Sequence, residues 1–346
     1  MNSIGLRHVA APNLASGPRE QLGRPVLSSI QHLRALAASL VLLFHLKLLP
    51  MGFAGVDVFF VISGFIMGTI GVKERPKAFI GNRLVRIVPL YWLVTLITCG
   101  LSLVPGAMRN FHFDAGQLFR SLLFVPYRNA DGDILPLIVP GWTLNFEMFF
   151  YALFAVLLNT RHVRGWSVAV LVFLGLAGTL WQFQNPVLAT YCSPLLLEFA
   201  AGLILSMMAP VKGRNAARAV FLTGIAGFVA MMSLGDPAID GLARAFLLGI
   251  PATLIVAGAL ACERAGAWPR FGFAKQLGDA SYSLYLTHGL VLAGVAKVAQ
   301  RIGAGVGASD ALGLAASVAV AVVIFHGFEK PIMRWFRSVR PAAKTG

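Results

Sequence analysis

Residues 29–49 read SIQHLRALAASLVLLFHLKLL, an apolar run long enough to cross a bilayer as a helix. It is interrupted by an arginine near one end and a histidine near the other. Arg34 and His45 are eleven residues apart, about 16 Å along a helix that rises about 1.5 Å per residue. Three turns return them to within about 20° of one face. An arginine in the bilayer core is costly, so an intramembrane cation marks a functional site unless its long stem reaches the interface. Arg34 lies close enough to the helix start for either reading. His45 is either a site residue or a satisfied histidine on a helix face.

Composition sets the class. Of 346 residues 57% are hydrophobic and 12% charged, with a mean hydropathy of +0.75. Soluble domains carry about 25% charged residues, so an all-α polytopic membrane bundle is expected. The net charge of +15 would suit nucleic acid, but the basic residues sit in short segments between apolar runs, as insertion topology requires. No aromatic-basic motif accompanies them, which excludes a nucleic-acid partner. Cys99, Cys192 and Cys262 have neither metal-ligand nor disulfide spacing, and no metal site is expected. Residues 1–28 hold prolines, glycines and arginines without the apolar core of a cleavable signal. They are expected to form a disordered cytoplasmic tail.

About ten spans are predicted, near 30–49, 53–72, 84–104, 142–159, 165–183, 188–209, 217–234, 241–262, 277–298 and 308–328. With the N-terminus inside, twenty-one lysines and arginines fall in inner segments and seven in outer ones, Arg34 aside. That bias predicts both termini in the cytoplasm, with a basic tail over 331–346. The transmembrane domain then runs over 29–330. Its longest non-membrane stretch, 105–141, mixes Phe111, Phe113, Phe119 and Phe124 with charges and is expected to fold back outside as an interfacial helix.

This orientation assigns depths. Arg34 falls in the inner half of the first span and His45 toward the outer half. Asp57, in GVDVFFVISGF, starts the second span at about the level of His45. A carboxylate there would raise the imidazole's basicity and hold its tautomer, as a general base needs; otherwise it is a polar contact between two helices. Glu147, in PGWTLNFEMFFY, lies at similar depth on the fourth span and requires a partner. Trp142 and Tyr151 read as interface anchors. On the inner side GNRLVRIVPLYW places Arg83 and Arg86 on one face of a helix start, where guanidinium forks and the helix field favour phosphate. Topogenic arginines are the plain alternative. Glu198 and His288 sit mid-span, as helix-helix hydrogen bonds or site walls. His326, Glu329 and Lys330 close the last span, where ion pairing with a nearby arginine is expected. No metalloprotease, nucleophile-elbow or P-loop signature occurs.

Together these stretches resemble the membrane acyltransferase-3 family. LRALAASLVLLFH matches its Arg-x10-His first helix through Arg34 and His45, and GVDVFFVISGFIM, FIGNRLVRIVPLYW, PGWTLNFEMFFY, SYSLYLTH and FEKP follow in the family's order. SIQHLRALAA and PGWTLNFEMFFYALFA look most like the branch that acetylates bacterial exopolysaccharide. Two departures stand out: Gln31-His32 where many relatives have Asp-Gly, and Met148 where they have a second acidic residue. The resemblance implies an inner-membrane enzyme that moves an acyl group, usually acetyl, from cytoplasmic acetyl-CoA to a hydroxyl of an extracytoplasmic or lipid-linked glycan. It implies Arg34, Arg83 and Arg86 as the acyl-CoA phosphate contacts and His45 as general base or acetyl carrier, with Asp57 orienting it. Glu147 would bind the acceptor; Trp142, Tyr282 and His288 would form site walls. The partners implied are acyl-CoA, the glycan, membrane lipids and a polysaccharide-biosynthesis complex. A flippase for a lipid-linked sugar and a non-catalytic export component are the competing classes. Against transport, no pseudo-symmetric pair of broken helices is visible in the sequence.

Overall fold

Each apolar run named above folds as helix, because a backbone in hydrocarbon must satisfy its own N–H and C=O groups. The computed structural model describes residues 27–105, 108, 111–234 and 240–339. Residues 1–26 of the expected N-terminal tail, 340–346 of the basic tail and Arg109 of the 105–141 loop lie outside the described residues. No strand occurs among those described. The helices are α1 (Ser28–His45), α2 (Gly55–Thr69), α3 (Pro76–Ser102), α4 (Ala115–Leu122), α5 (Gly141–Leu157), α6 (Val163–Leu180), α7 (Pro186–Tyr191) and α8 (Leu196–Met207). They continue as α9 (Arg214–Leu234), α10 (Gly241–Leu247), α11 (Gly249–Arg264), α12 (Gly272–Asp279), α13 (Ser281–Arg301), α14 (Val306–Ile324) and α15 (Lys330–Val339).

Six helical segments among the described residues are long and apolar enough to cross a membrane: 52–73, 76–102, 163–180, 186–207, 241–264 and 306–339. α5 is apolar but shorter. α1 stands outside this set because Gln31, His32, Arg34 and His45 interrupt its apolar surface. The chain is a helical membrane protein.

Four boundaries differ from expectation. α3 starts at Pro76, a residue suited to the first helical position, so Arg83 and Arg86 stand two to three turns inside. The field of a helix end fades within its first turn and does not reach them. Segment 186–207 is broken at Cys192–Leu195, where Pro194 cannot continue α7. Segment 241–264 is broken at Leu248, between α10 and α11. Both breaks escape a reading of hydropathy alone. Finally, residues 330–339 extend the last span as α15, through a π-helical turn at Phe325–Glu329.

α2 is the hub. It packs against α1, α5, α8 and α11 and is buried along most of its length. Between helices in lipid, close packing of small residues replaces the hydrophobic drive. A Cβ on Gly202 of α8 would lie 2.1 Å from the Val61 carbonyl oxygen, and one on Gly64 of α2 would lie 2.2 Å from that of Phe199. This glycine contact draws α2 and α8 together and holds Ser63 and Asp57 of α2 in place. The loop over 105–141 carries α4, whose start is closed by a capping box between Asp114 and Gln117. Trp92 Nε1 of α3 donates to the Leu122 carbonyl at 2.9 Å, tying α4 to the bundle.

Candidate functional site

Side chains of α1, α2, α3, α5 and α13 line a partly open cavity. Its walls include Phe59, Phe60, Ile66, Met67 and Leu144, and its charged lining is Arg34, Arg83, Arg86 and Glu147. Arg83 is paired with Glu74 beyond the lining, which leaves Arg34 and Arg86 against Glu147 and makes the cavity a candidate site for an anion. Arg34 is buried and donates from Nε and Nη2 to the hydroxyl of Ser281, at 3.1 and 3.0 Å. That partner is neutral, so the charge of Arg34 is not cancelled by it. Arg83 is held by Glu74 at 3.2 Å and by the face of Phe79, 5.1 Å from its guanidinium carbon. Its Nε is buried with no hydrogen-bond partner among the described residues. Arg86 makes no hydrogen bond among the described residues and lies within electrostatic reach of Arg34, Tyr282 and Glu329.

Glu147 joins this cavity and not the His45 end of α1. Tyr151, one turn on along α5, donates its hydroxyl to Glu147 Oε1, and the Ser63 hydroxyl of α2 donates to the same atom at 3.3 Å. Tyr151 is therefore a buried partner of a carboxylate, not an interface anchor. Tyr282 lines the cavity and donates to the Ile87 carbonyl at 2.7 Å, fastening α13 to α3 beside Arg86.

Asp57 does not orient His45. It is fully buried at the third position of α2, and both its oxygens are taken by Arg244 of α10: Nε to Oδ1 at 3.1 Å and Nη2 to Oδ2 at 2.9 Å. A buried carboxylate needs a counter-charge, and the bidentate guanidinium fork meets that need better than an imidazole. Phe53 and Trp142 flank the Arg244 guanidinium at 5.0 and 6.0 Å, so Trp142 belongs to this pair and not to the arginine cavity. Glu198 is near Asp57 and Arg244, yet neither of its carboxylate oxygens has a hydrogen-bond partner among the described residues.

His45 sits in the last turn of α1, exposed. The helix closes behind it with Lys47 in the left-handed conformation, φ 58°, and with Leu48 N–H bonded to the Leu43 carbonyl at 3.0 Å. His45 Nδ1 lies 2.9 Å from the Val41 carbonyl and 3.3 Å from Nε2 of His288 on α13. The rings of Tyr285 and Phe59 stand between the two regions: both line the cavity, with centroids 5.9 Å apart, and Tyr285 is 6.2 Å from the His288 ring. The nine residues singled out by sequence thus divide into three groups: Arg34, Arg83, Arg86, Glu147 and Tyr282 in the cavity, His45 with His288, and Asp57 with Trp142.

The sequence reading missed Arg244, Ser281, Ser63 and Tyr285. Arg244 lies at the start of an apolar run, where an arginine reads as topogenic. The Glu147–Tyr151 pair was legible in principle, since i and i+4 share a helix face. Glu329 accepts from the Ser283 hydroxyl at 2.8 Å, a partner no spacing rule would supply. No cluster of metal-ligating side chains occurs among the described residues.

Comparison with known proteins identifies the family of the chain. The chain is 38% identical over 304 residues to the exopolysaccharide production protein ExoZ of Rhizobium meliloti, covering 85% of this chain and 93% of that one. It is 29% identical over 289 residues to the putative membrane-bound transacylase BcsY of Komagataeibacter xylinus, covering 76% and 73%. Similarity to the O-acetyltransferase OatA of Staphylococcus aureus, 26% over 301 residues, covers 76% of this chain and 50% of the relative. No solved structure matches. The acyltransferase domain model matches residues 27–326, and the chain belongs to that acyltransferase-3 family.

Proposed function

We propose that this acyltransferase takes an acyl group, acetyl by family resemblance, from acyl-CoA at the cytoplasmic face and delivers it to a glycan hydroxyl on the far side. The observation that carries the reading is the cavity lined by Arg34, Arg83 and Arg86, in which Arg34 and Arg86 have no carboxylate in ion-pair contact among the described residues. Arg34, which lines it, stands eleven residues before His45 on α1. Guanidinium forks match the phosphates of a nucleotide donor, and the apolar walls suit the pantetheine arm. That arm, extended, would run from Arg34 past Phe59 and Tyr285 toward His45, a rise of about 16 Å along α1. Exopolysaccharide is the acceptor favoured by the likeness to ExoZ.

In this reading His45 Nε2 takes the proton of the acceptor hydroxyl as its oxygen attacks the thioester carbonyl. The C–O ester bond forms, the C–S bond breaks, and the departing thiolate takes up the proton from Nε2. The hydroxyl hydrogen thus ends on the CoA thiol. Glu147, held by Ser63 and Tyr151, stands in the donor cavity and sets the position of the arm. The topology that goes with it has ten spans, both termini cytoplasmic, in a bacterial inner membrane.

Purified protein in nanodiscs, given acetyl-CoA and a crude glycan acceptor, is expected to turn over. His45→Ala is expected to lose transfer by about a hundredfold or more, and Arg86→Ala to raise KM for acetyl-CoA. Folded wild-type protein that neither binds nor consumes acetyl-CoA across several acceptors would sink the reading in favour of transport.

A further inference from the structure

The orienting partner that His45 lacks in Asp57 is supplied, we propose, by His288 of α13, which shares the Nδ1 proton of His45 and leaves His45 Nε2 bare toward the outer face. The assignment follows from what each neighbour can do. A carbonyl oxygen only accepts, so Nδ1 of His45, 2.9 Å from the Val41 carbonyl, carries the proton. By the same logic Nδ1 of His288, 3.2 Å from the Leu284 carbonyl, carries its proton. Neutral His288 then presents a lone pair on Nε2, and that atom lies 3.3 Å from His45 Nδ1. The His45 proton is shared between an oxygen and a nitrogen. The tautomer of the pair is assigned by this network.

The pair is built, not incidental. His288 is 1% exposed, its ring meets that of His45 edge-on at 4.6 Å between centroids and 63° between planes, and the Tyr285 ring lies 6.2 Å from it. When His45 Nε2 gains a proton, the imidazolium strengthens its Nδ1–H donation, and His288 Nε2 is there to accept. A neutral imidazole can accept there as a carboxylate does in a hydrolase triad, without adding a buried charge. His288 is thus a positioning residue. This role rests on His45 as the base, but the tautomer can be measured without turnover.

The experiment uses the full chain, 15N-labelled at histidine and reconstituted in lipid, with His45 signals assigned by their loss in His45→Asn. Nitrogen chemical shifts are expected to show His45 protonated at Nδ1 and bare at Nε2, with a 15N–15N correlation from that Nδ1 to an unprotonated Nε2 of His288. His288→Leu is expected to lower kcat about ten- to a hundredfold, the range for losing a hydrogen bond to a charged group, with KM for acetyl-CoA unchanged. His288→Gln, whose amide oxygen accepts in place of Nε2, is expected to restore most of kcat. A wild-type His45 protonated at Nε2, or a His288 protonated at Nε2, overturns the proposal. So does a kcat loss in His288→Leu that His288→Gln fails to repair, since that marks packing alone. If wild type shows no transfer, the acyl-transfer reading fails while the nitrogen shifts still decide the tautomer.

Discussion

Asp57 and Arg244 show how burial sets a residue's role. Asp57 reads from sequence as the natural partner of His45, since both fall at the outer ends of adjacent helices. Its carboxylate is fully buried, however, and only a full positive charge in bidentate contact offsets that desolvation. Removing either member strands the other. Asp57→Ala and Arg244→Ala are each expected to cost about 3–5 kcal/mol of stability, with the double variant no less stable than the worse single. Thermal unfolding in detergent reads this, and an Asp57→Ala protein as stable as wild type would show that the pair contributes nothing to stability. Tyr151 illustrates the same point in reverse: a tyrosine in an apolar helix reads as an anchor until its hydroxyl is found on Glu147.

Among the helices, the contact that matters most for the site is α2 against α8. Gly64 and Gly202 let the two backbones meet, and α2 then carries Asp57 toward Arg244 and Ser63 toward Glu147. Gly202→Ala forces a methyl group against the Val61 carbonyl and is expected to destabilise by about 1–3 kcal/mol, as overpacking does. Gly289→Ala on α13, where an added Cβ meets nothing within 4 Å, is the control. It is expected to be neutral or to stabilise, since alanine is the better helix former. Equal melting temperatures for Gly202→Ala and wild type would show that α2 and α8 are not in close backbone contact.

For the whole molecule, the proposed topology places Lys47 outside and Arg75 inside. Both are exposed, and Cys99, Cys192 and Cys262 are buried, so background labelling is low. An impermeant maleimide is expected to modify Lys47→Cys in right-side-out vesicles and Arg75→Cys only in inverted ones. Both modified from one side would reject the orientation drawn from the lysine and arginine bias.

The helical class and the position of each long run follow from local sequence, because every residue of a membrane helix must satisfy its backbone within its own segment. The first helix, with Arg34 and His45 about three turns apart, was legible for the same reason: helical spacing is a local property. The family likeness was legible through six short stretches in order. What local spacing could not show is which polar group meets which across helices. Asp57 going to Arg244, Glu147 joining the arginines and His288 reaching His45 depend on how α2, α5, α10 and α13 pack around α1. The breaks at Cys192–Leu195 and at Leu248 were hidden too, since hydropathy stays high across them. Partnership between buried charges is settled by tertiary packing, where desolvation makes one pairing far less costly than its rivals.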